Sequence, residues 1–201
     1  MDVLSMIAAI AIAYLIGSIP FGVILSKIFK LPDPRTIGSG NIGATNMLRT
    51  GRKDIAAATL ALDMLKGIVA VMVMDSTAPY ASALAVFAAV LGHCFPLWLN
   101  FKGGKGVATI LGGLLAFSWA VGFFTLLVWV AMFYYKRISS LAALTALSLA
   151  PFATLLNVDG ASALVILLTV LIVVSKHADN MRRLINRTEP VSNLFGKKDG
   201  Q

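Results

Sequence analysis

Apolar stretches at residues 3–25, 55–74, 80–99, 107–117, 119–135, 141–156 and 161–174 constrain this chain more than any other feature. A helix needs roughly 20 apolar residues to cross hydrocarbon, and the longer stretches reach that length. Of the 201 residues only 13% are charged and 58% are hydrophobic, whereas a soluble domain carries about 25% charge. The expected fold is therefore an all-α polytopic membrane protein of about seven transmembrane helices. Residues 1–201 read as a single membrane-embedded domain, with a short tail from about 176. The fourth and fifth stretches form one tract interrupted only by Ser118. Because one helix would exceed the bilayer, two short helices and a tight turn are expected there. Ala11-Ile12-Ala13 imitates a signal-cleavage site, but no Lys or Arg precedes it and the apolar run continues, which favours a first span.

The charges give an orientation. In a soluble protein the net charge of +8 would suggest nucleic acid; here no nucleic-acid partner is expected, because the placement of the charges says something else. Lys27, Lys30, Arg35, Arg49, Arg52 and Lys53 lie in the first connection, and Lys102 and Lys105 in the third. Lys136 and Arg137 lie in the fifth, and Lys176, Arg182, Arg183, Arg187, Lys197 and Lys198 in the tail. The connections near Asp75-Ser76, Ser118 and Asn157–Asp159 contain no basic residue. With seven spans, every Lys and Arg except Lys66 falls on one face. The positive-inside rule makes that face cytoplasmic, with the N-terminus outside and the C-terminus inside.

Three segments on that face are richer in Gly, amide, hydroxyl and basic groups than a connector needs. The first holds Ser39, Gly40, Asn41, Gly43, Thr45 and Asn46, followed by Arg49. Its glycines permit close approach to a ligand, successive backbone N–H groups can cradle an anion, and Arg49 supplies a forked cation. It reads either as a phosphate site or as a flexible polar loop. The second holds Lys102, Gly103, Gly104 and Lys105 before an apolar helix. It lacks the Gly-Lys-Ser/Thr order of a nucleotide-binding loop, and its glycines favour a phosphate cradle over snorkelling lysines. In the third, His177 and Asn180 share a helical face, with Arg183 close to Asn180. That segment reads equally as a substrate-orienting cluster or as a solvated basic helix.

Asp63 and Lys66 stand at i, i+3 inside the second span, where an unpaired charge is costly, so an ion pair is expected. His93 reads as a packed, hydrogen-bonding histidine and Cys94 as apolar filler. No carboxylate or histidine cluster has ligand spacing, so neither a metal nor a cofactor is expected.

Taken in order, the motifs GSIPFG (17–22), GSGNIGATN with Arg49, LDMLKG (62–67) and GHCFP (92–96) resemble a known family. FKGGKGVAT (101–109), RISSL (137–141) and the HADNMRRL…TE tail (177–189) continue the likeness across almost the whole chain. Together they resemble the bacterial acyl-phosphate:glycerol-3-phosphate acyltransferases, the PlsY family. The resemblance implies transfer of a fatty acyl group from acyl phosphate to the 1-hydroxyl of glycerol 3-phosphate, giving lysophosphatidic acid. It implies a multi-pass protein of the bacterial inner membrane with a cytoplasmic active site, and association with the enzyme that produces acyl phosphate. Ser39, Thr45, Asn46 and Arg49 match the family's first functional segment, and Gly103, Gly104 and Lys105 its phosphate-binding second. His177 and Asn180 match the third, with Glu189 as a structural anchor. Ser39, Arg49, His177 and Asn180 are the candidates for catalytic roles; Asp63, Lys66, His93, Arg183 and Glu189 are supporting. A transporter of a phosphorylated metabolite is the competing reading, disfavoured because the polar motifs gather at one face and no repeat is evident.

Overall fold

A computed structural model describes residues 2–74 and 78–192, which are helical with connecting turns. The expected features at Asp75, Ser76, Lys197 and Lys198 lie outside the described residues. Helix α1 (Val3–Gly17) starts on Asp2, whose carboxylate accepts the Ser5 N–H at 2.8 Å. It breaks before Pro20, and α2 (Phe21–Ile28) continues at 41° to it. A short α3 (Ala44–Met47) and a 3₁₀ turn lead into α4 (Lys53–Val73). Then follow α5 (Pro79–Cys94), α6 (Val107–Phe117), α7 (Trp119–Lys136) and α8 (Ser139–Asn157). Helix α9 (Gly160–Ser175) is capped by Asp159, and α10 (Ala178–Ile185) turns 66° away from it.

Four helical segments are long and apolar enough to cross a bilayer: α4, α7, α8 and Pro79–Leu99, which contains α5. Counting each bent pair, α1–α2 and α9–α10, as one span gives up to six. Helix α6 has only 11 residues, about 16 Å at 1.5 Å per residue, and is roughly half a span. The long apolar tract is two helices. Ser118 is extended (φ −153°, ψ 113°) between α6 and α7, and Gly122 packs directly on the Leu114–Leu115 backbone.

Small residues explain the packing. Helix α5 is lined by buried Ala81, Ala83, Ala85, Ala88 and Ala89, so α1, α4, α6 and α9 all close upon it. Two glycines interlock α4 with α6. A Cβ on Gly67 would stand 2.1 Å from the Thr109 carbonyl oxygen, and one on Gly112 would stand 2.0 Å from that of Met64. Cys94 is a fully buried free thiol within this core. The outer surface carries apolar side chains such as Leu4, Met72, Trp119 and Leu156, the pattern of a lipid-facing wall.

Candidate functional site

The loop before α3 is folded around one side chain. Asn46, 2% exposed, donates through Nδ2 to the carbonyls of Pro34 (2.7 Å), Ile37 (3.2 Å) and Asn41 (2.8 Å). Its Oδ1 accepts the Ser39 N–H at 3.1 Å. The expectation that Asn46 offers its amide to a phosphate therefore gives way to a different placement: its N–H groups are spent on the loop itself. Gly38 (φ +53°) takes a turn a side chain would strain, and its Cβ would fall 2.2 Å from Arg49 Nη1. Arg49 and Ser39 thus come to one wall.

The second segment meets α5. The N–H groups of Gly103 and Gly104 donate to the carbonyls of Cys94 (3.2 Å) and His93 (3.1 Å). The cradle expected of these two amides is accordingly corrected: they seat the loop and are not left for a phosphate. What the segment presents is Lys105 and the start of α6, where Gly106, Val107 and Ala108 line a cavity. The first-turn amides of an α-helix have no intrahelical partners and favour anions. Lys102 is exposed and, like Gly40, does not line that cavity.

Glu189 organises the third segment. Its side chain, 7% exposed, accepts from Ser140 Oγ (2.7 Å), Asn180 Nδ2 and Arg183 Nε (2.7 Å). Asn180 Oδ1 in turn accepts from the Lys105 ammonium. Helices α8 and α10, the tail and the α5–α6 loop are joined through these contacts. Burial raises the Glu189 carboxyl, but these three hydrogen bonds and the Arg183 charge outweigh it and hold the pKa below the ordinary value. Burial likewise lowers the Lys105 ammonium, with Glu189 opposing. His177, beyond the end of α9 and 2% exposed, is pushed down by burial to about 4. Its Nδ1 lies 2.7 Å from the Val173 carbonyl oxygen. Since a carbonyl only accepts, Nδ1 carries the hydrogen and Nε2 is left as an acceptor.

These segments enclose a cavity of about 780 Å³. Ser39, Asn41, Gly43, Thr45, Arg49 and Lys105 line it with His177, Asn180, Arg183 and Glu189. Deeper in the helices, Leu60, Met64, Leu111 and Leu126 supply an apolar wall. In that wall Asp63 pairs with Lys66 at 2.8 Å, and His93 lies close by. Sequence reasoning missed Ser139, 3.5 Å from Thr45 Oγ, and Ser140, although both lie in the RISSL motif. It also missed Trp129, a wall residue whose indole N–H has no partner among the described residues; nothing local distinguishes it from the other aromatics of α7.

Apolar helices around a cavity that sets cations against an apolar wall define an integral membrane protein with a site of mixed character. More narrowly, the chain belongs to the glycerol-3-phosphate acyltransferase family, whose profile matches residues 7–187. It is 49% identical over 186 residues to the glycerol-3-phosphate acyltransferase of Brucella anthropi, covering 92% of each chain. It is 46% identical to that of Cereibacter sphaeroides, covering 98% of this chain and 93% of the relative. Among solved structures, the glycerol 3-phosphate form of PlsY, an integral membrane acyltransferase, superposes with a TM-score of 0.86 at 34% identity, covering 94% of this chain and 97% of that one. Its lysophosphatidic acid form gives 0.82 at 33% identity, covering 93% and 95%.

Proposed function

We propose that this protein transfers a fatty acyl group from acyl phosphate to the 1-hydroxyl of glycerol 3-phosphate, releasing lysophosphatidic acid and phosphate. We place the reaction at the cytoplasmic face of a bacterial inner membrane, in a seven-span chain with its N-terminus outside. The observation that carries this reading is the mixed wall of the cavity: Arg49, Lys105 and Arg183 share it with Leu60, Met64, Leu111 and Leu126. Leu60 and Met64 lie about two and three turns inside α4, so an acyl chain directed between the helices leaves its phosphate among the cations. Relatives named for glycerol 3-phosphate, and the two ligand forms of PlsY, support the acceptor and product.

Acyl phosphate is a mixed anhydride with a good leaving group, so the protein's main work is positioning. Two phosphate-bearing substrates repel one another. Lys105, Arg49, Arg183 and the start of α6 offset that repulsion at fixed positions. The glycerol oxygen attacks the acyl carbonyl carbon, the bond from that carbon to the phosphate oxygen breaks, and phosphate departs with the electron pair. The hydroxyl proton goes to the phosphate. The phosphate gains negative charge, and with it basicity, as its bond to the acyl carbon breaks, while burial holds His177 near 4, so the leaving group is the better base. Through Nε2, His177 orients the acceptor by taking a hydrogen bond from its 2-hydroxyl, which leaves the proton of the attacking 1-hydroxyl to the phosphate.

The test is direct. Protein in nanodiscs with palmitoyl phosphate and labelled glycerol 3-phosphate should yield lysophosphatidic acid, and acyl-CoA in place of the acyl phosphate should yield none. Folded protein giving no product, or accepting acyl-CoA equally, removes the reading. His177→Gln should lower kcat by about 100-fold while retaining activity that depends on acyl phosphate; complete loss of turnover with unchanged substrate binding would point instead to His177 as the base.

A further inference from the structure

His93 lies in the cavity wall and has no part in the chemistry above. It occupies the last turn of α5 and is 4% exposed. Its Nδ1 has no hydrogen-bond partner among the described residues and stands 3.7 Å from Asp63 Oδ1, beyond hydrogen-bond reach. Asp63 is fixed in turn by Lys66 at 2.8 Å, and Lys66 also donates to the Ile19 carbonyl at 2.8 Å, in the break between α1 and α2.

The opposite side of the ring meets the second segment. A Cβ built on Gly104 would stand 2.2 Å from His93 Nε2 and 3.1 Å from both Cδ2 and Cε1. The His93 carbonyl oxygen accepts the Gly104 N–H at 3.1 Å and occupies the space of a Gly103 side chain, 2.1 Å from where its Cβ would be. Lys105 is the next residue. The imidazole therefore lies between an ion pair and the loop that bears the half-buried Lys105. An apolar side chain could fill this space without leaving a ring nitrogen unpaired in the interior, so simple packing does not explain the choice.

We propose that His93 is a positioning residue for Lys105: its ring is the stop on which Gly104 seats, and it sets the depth at which the lysine meets an anion in the cavity. Asp63 backs the ring at 3.7 Å, and its partner Lys66 reaches the Ile19 carbonyl in the α1–α2 break. This rests on the acyltransferase reading, in which the anion is a substrate phosphate.

Paired variants test it. Gly104→Ala drives a methyl group into the ring and should raise the KM of a phosphate substrate roughly 100-fold, with the melting temperature largely kept. His93→Ala in that background opens room for the methyl group and should recover most of the loss, a coupling that independent sites lack. Binding of inorganic phosphate, read by calorimetry on the same proteins, should follow the same order and needs no turnover. Should His93→Ala fail to fold, His93→Ser carries the same comparison. A double variant no better than Gly104→Ala, or Gly104→Ala with wild-type constants, overturns the proposal. Wild-type protein that binds phosphate in this order but makes no lysophosphatidic acid would instead overturn the acyltransferase reading and leave the positioning role standing.

Discussion

Glu189 and His177 are buried ionisable groups whose pKa values both lie below their ordinary values, and both shifts act on stability in one direction. His177 falls from 6.5 to about 4 because burial disfavours the charged ring. Between those values the unfolded chain binds a proton and the folded one does not, so stability declines as pH falls across the window. For Glu189 burial opposes ionisation, but Ser140, Asn180 and Arg183 prevail and set the folded value below 4.5. Its contribution is complete above about pH 4.5 and is lost as pH falls through the lowered folded value. Melting temperatures from about pH 7.5 to 3 should drop in two stages, the first absent in His177→Gln and the second, below about pH 4.5, flattened in Glu189→Gln. A His177→Gln curve identical to wild type would contradict the burial argument. Glu189→Ala at neutral pH strands three donors and should destabilise by about 2–3 kcal/mol, visible as a lower melting temperature. Asn180 and Arg183 were legible as a pair from helical spacing, whereas Glu189 entered only through the resemblance, as a structural anchor. The inward role of Asn46 was not, since nothing in the loop's sequence says which carbonyls its amide will find.

At the scale of elements, the helical glycines divide by what surrounds them. A Cβ on Gly67 or Gly112 would stand about 2 Å from backbone of the facing helix, whereas one on Gly160 would only touch Leu155 Cδ1 at 3.9 Å. Gly112→Ala should therefore force α4 and α6 apart and destabilise by about 1–3 kcal/mol. Gly160→Ala, at the start of α9, should change stability by no more than about 1 kcal/mol and in the favourable direction. Thermal unfolding of both variants side by side checks the contrast, and equal losses would refute it. The break at Ser118 was readable from the tract's excess length. The half-length of α6 was readable as well, but its meaning was not: it is short because the α5–α6 loop folds back on His93 and Cys94, so that the helix starts at the cavity.

For the whole molecule, the asymmetry of basic residues carries the proposed orientation. In a Cys94→Ala background, Asn157→Cys should react with an impermeant maleimide added outside intact cells, and Arg187→Cys only after the membrane is opened. The reverse pattern would invert the proposed topology. Hydropathy and charge placement by themselves determined that this chain is a membrane-embedded helical protein with its polar motifs on one face, because transfer energies and the positive-inside bias act on local segments whatever their partners. The three separate motifs also raised the expectation of an anionic ligand, which the proposed function adopts. Only the tertiary structure decided which groups face the cavity. It separated Lys105 from Lys102, assigned the Gly103 and Gly104 amides to α5, and set Lys105, Asn180, Glu189 and Ser140 in one connected line. Those outcomes depend on contacts between residues far apart in the chain, and such contacts are fixed by how the helices pack.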